Sequence, residues 1–413
     1  MKRTHCSCFL AALLAVIYFV SSSASLLADD PVQLASPDES LTLNVQLHDG
    51  QPQWDLSLGG RQLIYPSALG VQVGGQSLGP WRSVEMKSTE RQGQVKTVWG
   101  KFATYENHYR QLRWTLREAD GAARRLDIVV RLYDQGVAIR YEFPLSGKWG
   151  QQIELTGGAT EFIFADDFTG WCYNRERDPI GPQPLSQFHK SKGAELPLTV
   201  RCGPDAYLAV LEAAIFRQAP FRLAPLAGNQ TAFRESFAPS LLPAGGHTSW
   251  RTVIVGREPG DLLVAPLPYC LNPPCRIADT SWIQPGLAFW DWRAWGARTK
   301  DGFTYDLDMA SWRRFIDFAS NNHVRYLVLD ANWYGPEFEP TSDPRVSRDH
   351  LVIQPDMSKP HIIRKPAPDN WEDPIDVPAL IRYARERNVG IILYINDIAR
   401  DNFPFEETLA LYQ

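Results

Sequence analysis

The chain has 413 residues, 44% of them apolar, which is enough for two or three domains with sizeable cores and speaks against disorder despite 31 prolines. Lys and Arg number 42 against 47 Asp and Glu, a net charge of -5, so nothing in the balance favours a nucleic acid, whose binders concentrate positive charge. Trp is frequent, and six of the 14 fall between Trp282 and Trp333.

Residues 1–28 read as a signal peptide. Lys2 and Arg3 precede the apolar run FLAALLAVIYFV (9–20), and small and polar residues follow, with Ala24 and Ala28 as cleavage positions. Twelve apolar residues are short of the roughly 20 that span a bilayer, so an uncleaved anchor is the weaker reading. Cys6 and Cys8 lie before the apolar core, where a lipoprotein cysteine would lie after it. The expected location is therefore exported, periplasmic or extracellular, with no stable membrane span after removal of the leader.

Residues 29–280 read as a large antiparallel β-sandwich. LTLNVQLHD, LDIVVRLYD and GVAIRYEFPL alternate as half-buried strands do, and LGVQVGG, AYLAVLEAAI and RTVIVG are further short strands between Gly-, Asp- and Pro-containing turns. Many short strands without long helices pack as sheet on sheet. Cys172, Cys202, Cys270 and Cys275 could oxidise in an exported chain. Cys270 and Cys275 could close a small loop, and pairing with Cys172 or Cys202 is equally open. No CxxC pair or neighbouring His set suggests zinc.

The pattern changes over 281–413. LAFWD, VRYLVLDANW and VGIILYIND read as short apolar strands of a parallel sheet. Between them ASWRRFIDFASNNH puts Trp312, Phe315, Ile316 and Ala319 on one helical side, Asp376 caps VPALIRYARERN, and FEETLALYQ opens a third helix. The expected fold is thus a β-sandwich followed by the first three β/α units of a (β/α)8 TIM-type barrel, with the chain stopping before a fourth strand. The strands end in Asp291, Asp330 and Asn396-Asp397, and polar groups at the C-terminal ends of such strands belong to the active face of a barrel.

TSWIQPGLAFWDWRAWG (280–296) resembles the junction between sandwich and barrel in glycoside hydrolase family 97. FIDFASNNHVRYLVLDANW, DVPALIRYARERNVG and PLTVRCGPDAYLAVLEAAI fit the same family in order and spacing. The resemblance implies an exported, exo-acting enzyme on α-linked glucosides or galactosides, with a calcium ion held partly by a glutamate of the sandwich. Its nucleophile and acid/base carboxylates follow later barrel strands, so neither is expected within Met1–Gln413. The chain then reads as the front part of an α-glycosidase; the alternative is a non-catalytic carbohydrate-binding or structural protein with a residual barrel segment.

Glu176, in the polar loop TGWCYNRERDPIG, is the candidate calcium ligand, with Asp178 as rival and a solvated loop carboxylate as the plain alternative. Asp291 and Asp330, beside Trp292, Asn332 and Trp333, are candidate substrate-binding residues, because sugars need hydroxyl-directed hydrogen bonds and a flat apolar wall. Core packing is the plain account of a Trp, and it is the expected one for Trp312. Glycosidase chemistry needs two carboxyls about 5–5.5 Å apart for retention or about 6.5–9.5 Å for inversion. Asp291, Asp330 and Asp397 could formally supply such a pair, although the resemblance places the chemistry elsewhere. Glu212 reads as an Arg-paired structural carboxylate, and His350 and His361 as loop hydrogen-bonding groups rather than metal ligands.

Overall fold

The computed structural model describes residues 31–174, 179–190, 192–335, 337–345, 351–353, 362–364 and 375–412. The chain divides after Ala278 into two compact units. Residues 1–28, read above as a leader, lie outside the described residues. Among the described residues no helix is long and apolar enough to cross a membrane.

Antiparallel pairing builds the first unit. A seven-stranded sheet runs in the spatial order Val32–Ala35, Leu41–His48, Gln51–Leu58, Arg61–Ala68, Glu161–Phe164, Ala232–Ser236, Arg222–Pro225. A nine-stranded sheet has Tyr207–Ala213, Trp250–Gly256, Gly136–Glu142 and Arg125–Tyr133 at its centre. One buried cluster draws on both, with Leu41, Leu43, Val45 and Leu56 from the first sheet and Trp114, Ile128, Val130 and Ile139 from the second. Leu41–His48 alternates buried and half-buried residues over most of its length, as its sequence predicts.

The strands at the centre of the larger sheet depart from that expectation. Arg125–Tyr133 buries Val129 as well as Val130, and Trp250–Gly256 is buried on both faces. The second face is covered by a separate cluster in which Val129, Tyr133, Ala138, Trp250 and Ile254 meet Leu267, Cys270 and Leu271. The short helices Pro259–Val264 and Leu267–Cys270 lie at this end of the unit's chain. The alternation in LDIVVRLYD thus marks one dry face, while a later segment dries the other.

A charged pair sits inside this unit. Arg251 Nε donates to Glu235 Oε2 at 2.6 Å, with the two side chains 1% and 0% exposed. Glu235 Oε1 accepts from the Thr160 hydroxyl at 2.8 Å, which meets the Tyr141 hydroxyl at 2.7 Å. Gly158 makes room for it: a Cβ there would stand 1.9 Å from Glu235 Cγ. Glu212 has a different partner from the one expected. Arg251 pairs with Glu235, and the Glu212 carboxylate instead accepts from the Phe221 N–H at 3.0 Å and from the Ser249 hydroxyl. Burial raises the Glu212 carboxyl above its ordinary range.

The four cysteines of the described chain are free thiols. Cys270 is buried with its thiol toward the Glu106 carbonyl, while Cys275 is exposed, so the Cys270–Cys275 staple is not formed. Burial pushes the Cys202 thiol to about 12 and those of Cys172 and Cys270 to about 11.

The second unit carries a three-stranded parallel sheet in the order Ala288–Trp290, Tyr326–Leu329, Gly390–Leu393. Helices Met309–Asn321 and Val377–Arg385 connect the strands, and Phe405–Tyr412 follows the third. Asp308 and Asp376 start the two connecting helices, accepting from Ser311 N and Ala379 N at 2.7 and 2.8 Å. Trp312, Ile316 and Ala319 are buried as the helical spacing predicts.

Period two divides this sheet into unequal faces. Phe289, Leu327, Leu329, Ile391 and Leu393 belong to the cluster formed with the helices. Trp290, Val328 and Ile392 are aligned in register and belong to the opposite face, where Trp290 and Ile392 are exposed.

Candidate functional site

The C-terminal ends of the three parallel strands bring together most of the polar residues singled out from sequence. Asp291 follows the first strand in a short 3-10 turn, Asp291–Ala294. It is fully buried, and its oxygens are taken: Oδ2 accepts from Trp312 Nε1 and Oδ1 from the Asp330 N–H, each at 2.9 Å. The Trp292 N–H also reaches it. Burial outweighs these donors and lifts the carboxyl to about 6. Asp291 therefore ties the first helix to the end of the second strand and offers no free oxygen to a sugar, which corrects its reading as a direct substrate ligand.

Trp333 is corrected too. Its indole is fully buried, donates from Nε1 to the Tyr394 carbonyl at 2.7 Å, and packs edge-on against Tyr334. With no exposed face it forms part of the core rather than a wall. Asn332, also buried, has φ 75° and accepts from the Glu337 N–H at 3.1 Å, so it shapes the loop after the second strand.

Asp330 and Trp292 remain accessible. Asp330 is half-buried, at the end of the second strand. Trp292 stacks on Trp290 with centroids 5.2 Å apart, and the Arg293 guanidinium lies 4.5 Å from the Trp292 ring and 4.8 Å from the Trp290 ring. Asn396 accepts from the Ile398 N–H and so caps the turn after the third strand. Asp397 points outward, its side chain 79% exposed beside Arg400. Asp291 is thus enclosed, Asp330 half-buried and Asp397 solvated.

Two residues at this end were not singled out from sequence, Glu337 and Tyr394. The pairing of Leu329 with Leu393 sets Tyr394 beside Asp330. Burial, and then the neighbouring Glu337 carboxylate, raise the Tyr394 hydroxyl above its ordinary range. A period-two reading of GIILYIN gives the one signal available, since it puts Tyr394 on the same face as Ile392. Glu337 lies in a loop with no such period. Glu176 and its rival Asp178, together with His350 and His361, lie outside the described residues. Among the described residues no group of three or more His, Cys, Asp or Glu side chains converges to hold a metal. The calcium reading on Glu176 therefore rests on residues outside those described.

The family model for the glycosyl-hydrolase 97 N-terminal region matches residues 34–274. The chain belongs to glycoside hydrolase family 97. Similar curated proteins are a probable retaining alpha-galactosidase of Streptomyces bingchenggensis, 28% identical over 96% of this chain, and a retaining alpha-galactosidase of Bacteroides thetaiotaomicron, 24% identical over 91%. The chain spans 58% and 57% of the lengths of these two relatives. Among solved structures, a family 97 enzyme from Pseudoalteromonas sp. strain K8 in complex with panose aligns with a TM-score of 0.72 at 18% identity, covering 92% of this chain and 57% of that one. A beta-arabinopyranosidase aligns at 0.67 and 19% identity, over 88% of this chain and 55% of that one. At such identities the likeness is one of fold.

Proposed function

We propose that this chain is the front part of an exported, exo-acting α-glycosidase that hydrolyses α-linked glucosides or galactosides, with an oligo- or disaccharide as substrate. The observation that carries the reading is the parallel sheet of a family 97 chain whose strand ends bear Asp330 and Asn396 and whose first strand runs into the Trp290–Trp292 stack. That is the arrangement expected at the active end of a β/α barrel, the fold that the sequence pattern leads us to expect for these three units. Asp330 supplies a hydrogen-bonding carboxylate and Trp292, with Trp290, a flat apolar surface for the C–H face of a pyranose.

Asp291 acts indirectly in this scheme, by fixing where Asp330 starts. The nucleophile and proton donor are carboxylates other than Asp291, Asp330 and Asp397. Export rests on the character of residues 1–28, and a calcium ion on Glu176 rests on the family resemblance. The test is hydrolysis of nitrophenyl α-galactoside and α-glucoside, assayed with the protein encoded by the whole reading frame and with the 413-residue polypeptide. Turnover by the former and background rates from the latter are expected. A folded whole protein that binds such sugars and cleaves neither would replace this reading with that of a non-catalytic carbohydrate-binding protein.

A further inference from the structure

We draw no further inference here: the strongest candidate, the surface hollow of the sandwich lined by Glu195, Glu212, Ile215, Phe221, Arg222 and Phe237, is a largely apolar face, and nothing in the structure shows what covers it.

Discussion

The two units solve the same problem in opposite ways. The sandwich turns two large sheets toward one another and covers the outer side of the larger with a second cluster, so its central strands are dry on both faces. The parallel sheet of the second unit packs one face on its helices and keeps Trp290, Ile392 and Tyr394 exposed on the other. The polar groups follow the same division. In the sandwich the charged pair Glu235–Arg251 is sealed inside, whereas at the strand ends of the second unit Asp330 and Asp397 stay in reach of solvent. A sheet packed on one face alone leaves its second face for other strands to cover, which is how the interior of a β/α barrel is filled.

The sharpest way to break that contrast is to unpair the sealed charge. Glu235→Leu leaves Arg251 buried without its carboxylate and is expected to destabilise the sandwich by about 3–5 kcal/mol, read from the urea midpoint of that unit. Replacing both partners by apolar residues of similar volume should recover most of the loss. A single substitution that costs under about 1 kcal/mol would mean that water reaches the pair.

Next in size is the pH response of the second unit. The Asp291 carboxyl is raised from 3.8 to about 6 in the folded chain. The folded state therefore holds this proton more tightly than the unfolded state. Its stabilising effect is complete below pH 4, is lost as pH rises through about 6, and is constant above that. The expected decline is about 3 kcal/mol over the whole titration, about 2 kcal/mol of it between pH 4 and 6, measured by urea unfolding of the second unit. Asp291→Asn should flatten that slope, and an unchanged slope in the variant would assign it to other groups.

The smallest effect concerns the caps. Asp308→Ala removes the acceptor for the Ser311 N–H and should cost about 1 kcal/mol, with Asp308→Asn close to wild type. Thermal unfolding followed in the far ultraviolet separates the two variants. A loss as large as that of Glu235→Leu would mean that Asp308 does more than start its helix.

Elements governed by short-range rules were legible in the sequence. Leu41–His48 has its period in its own residues, and Asp376 announces its helix by standing before an apolar-periodic run with Pro378 in the first turn. The second buried face of Arg125–Tyr133 was not legible, because the residues that cover it come more than a hundred positions later. The site divides likewise. Polar residues at strand ends could be found by position, but whether Asp291 and Trp333 face solvent depends on Trp312 and Tyr394, contacts that no local pattern encodes. Glu337 had no signal at all, since the loop that carries it has no period. Glu212 and the cysteines show the same limit, for partnership is a property of the folded neighbourhood.

Gly158 links the sealed pair to the history such a chain can have. Because any side chain at 158 would collide with Glu235, the glutamate tolerates no other residue there unless it moves or is lost itself. Loss of the glutamate in turn strands Arg251. The three positions are therefore epistatic: each single change falls into a valley that only a near-simultaneous second change can cross. Sequence drift in the sandwich is free at many surfaces but locked at this triplet, since removing the arginine leaves Glu235 buried without its partner and still against position 158.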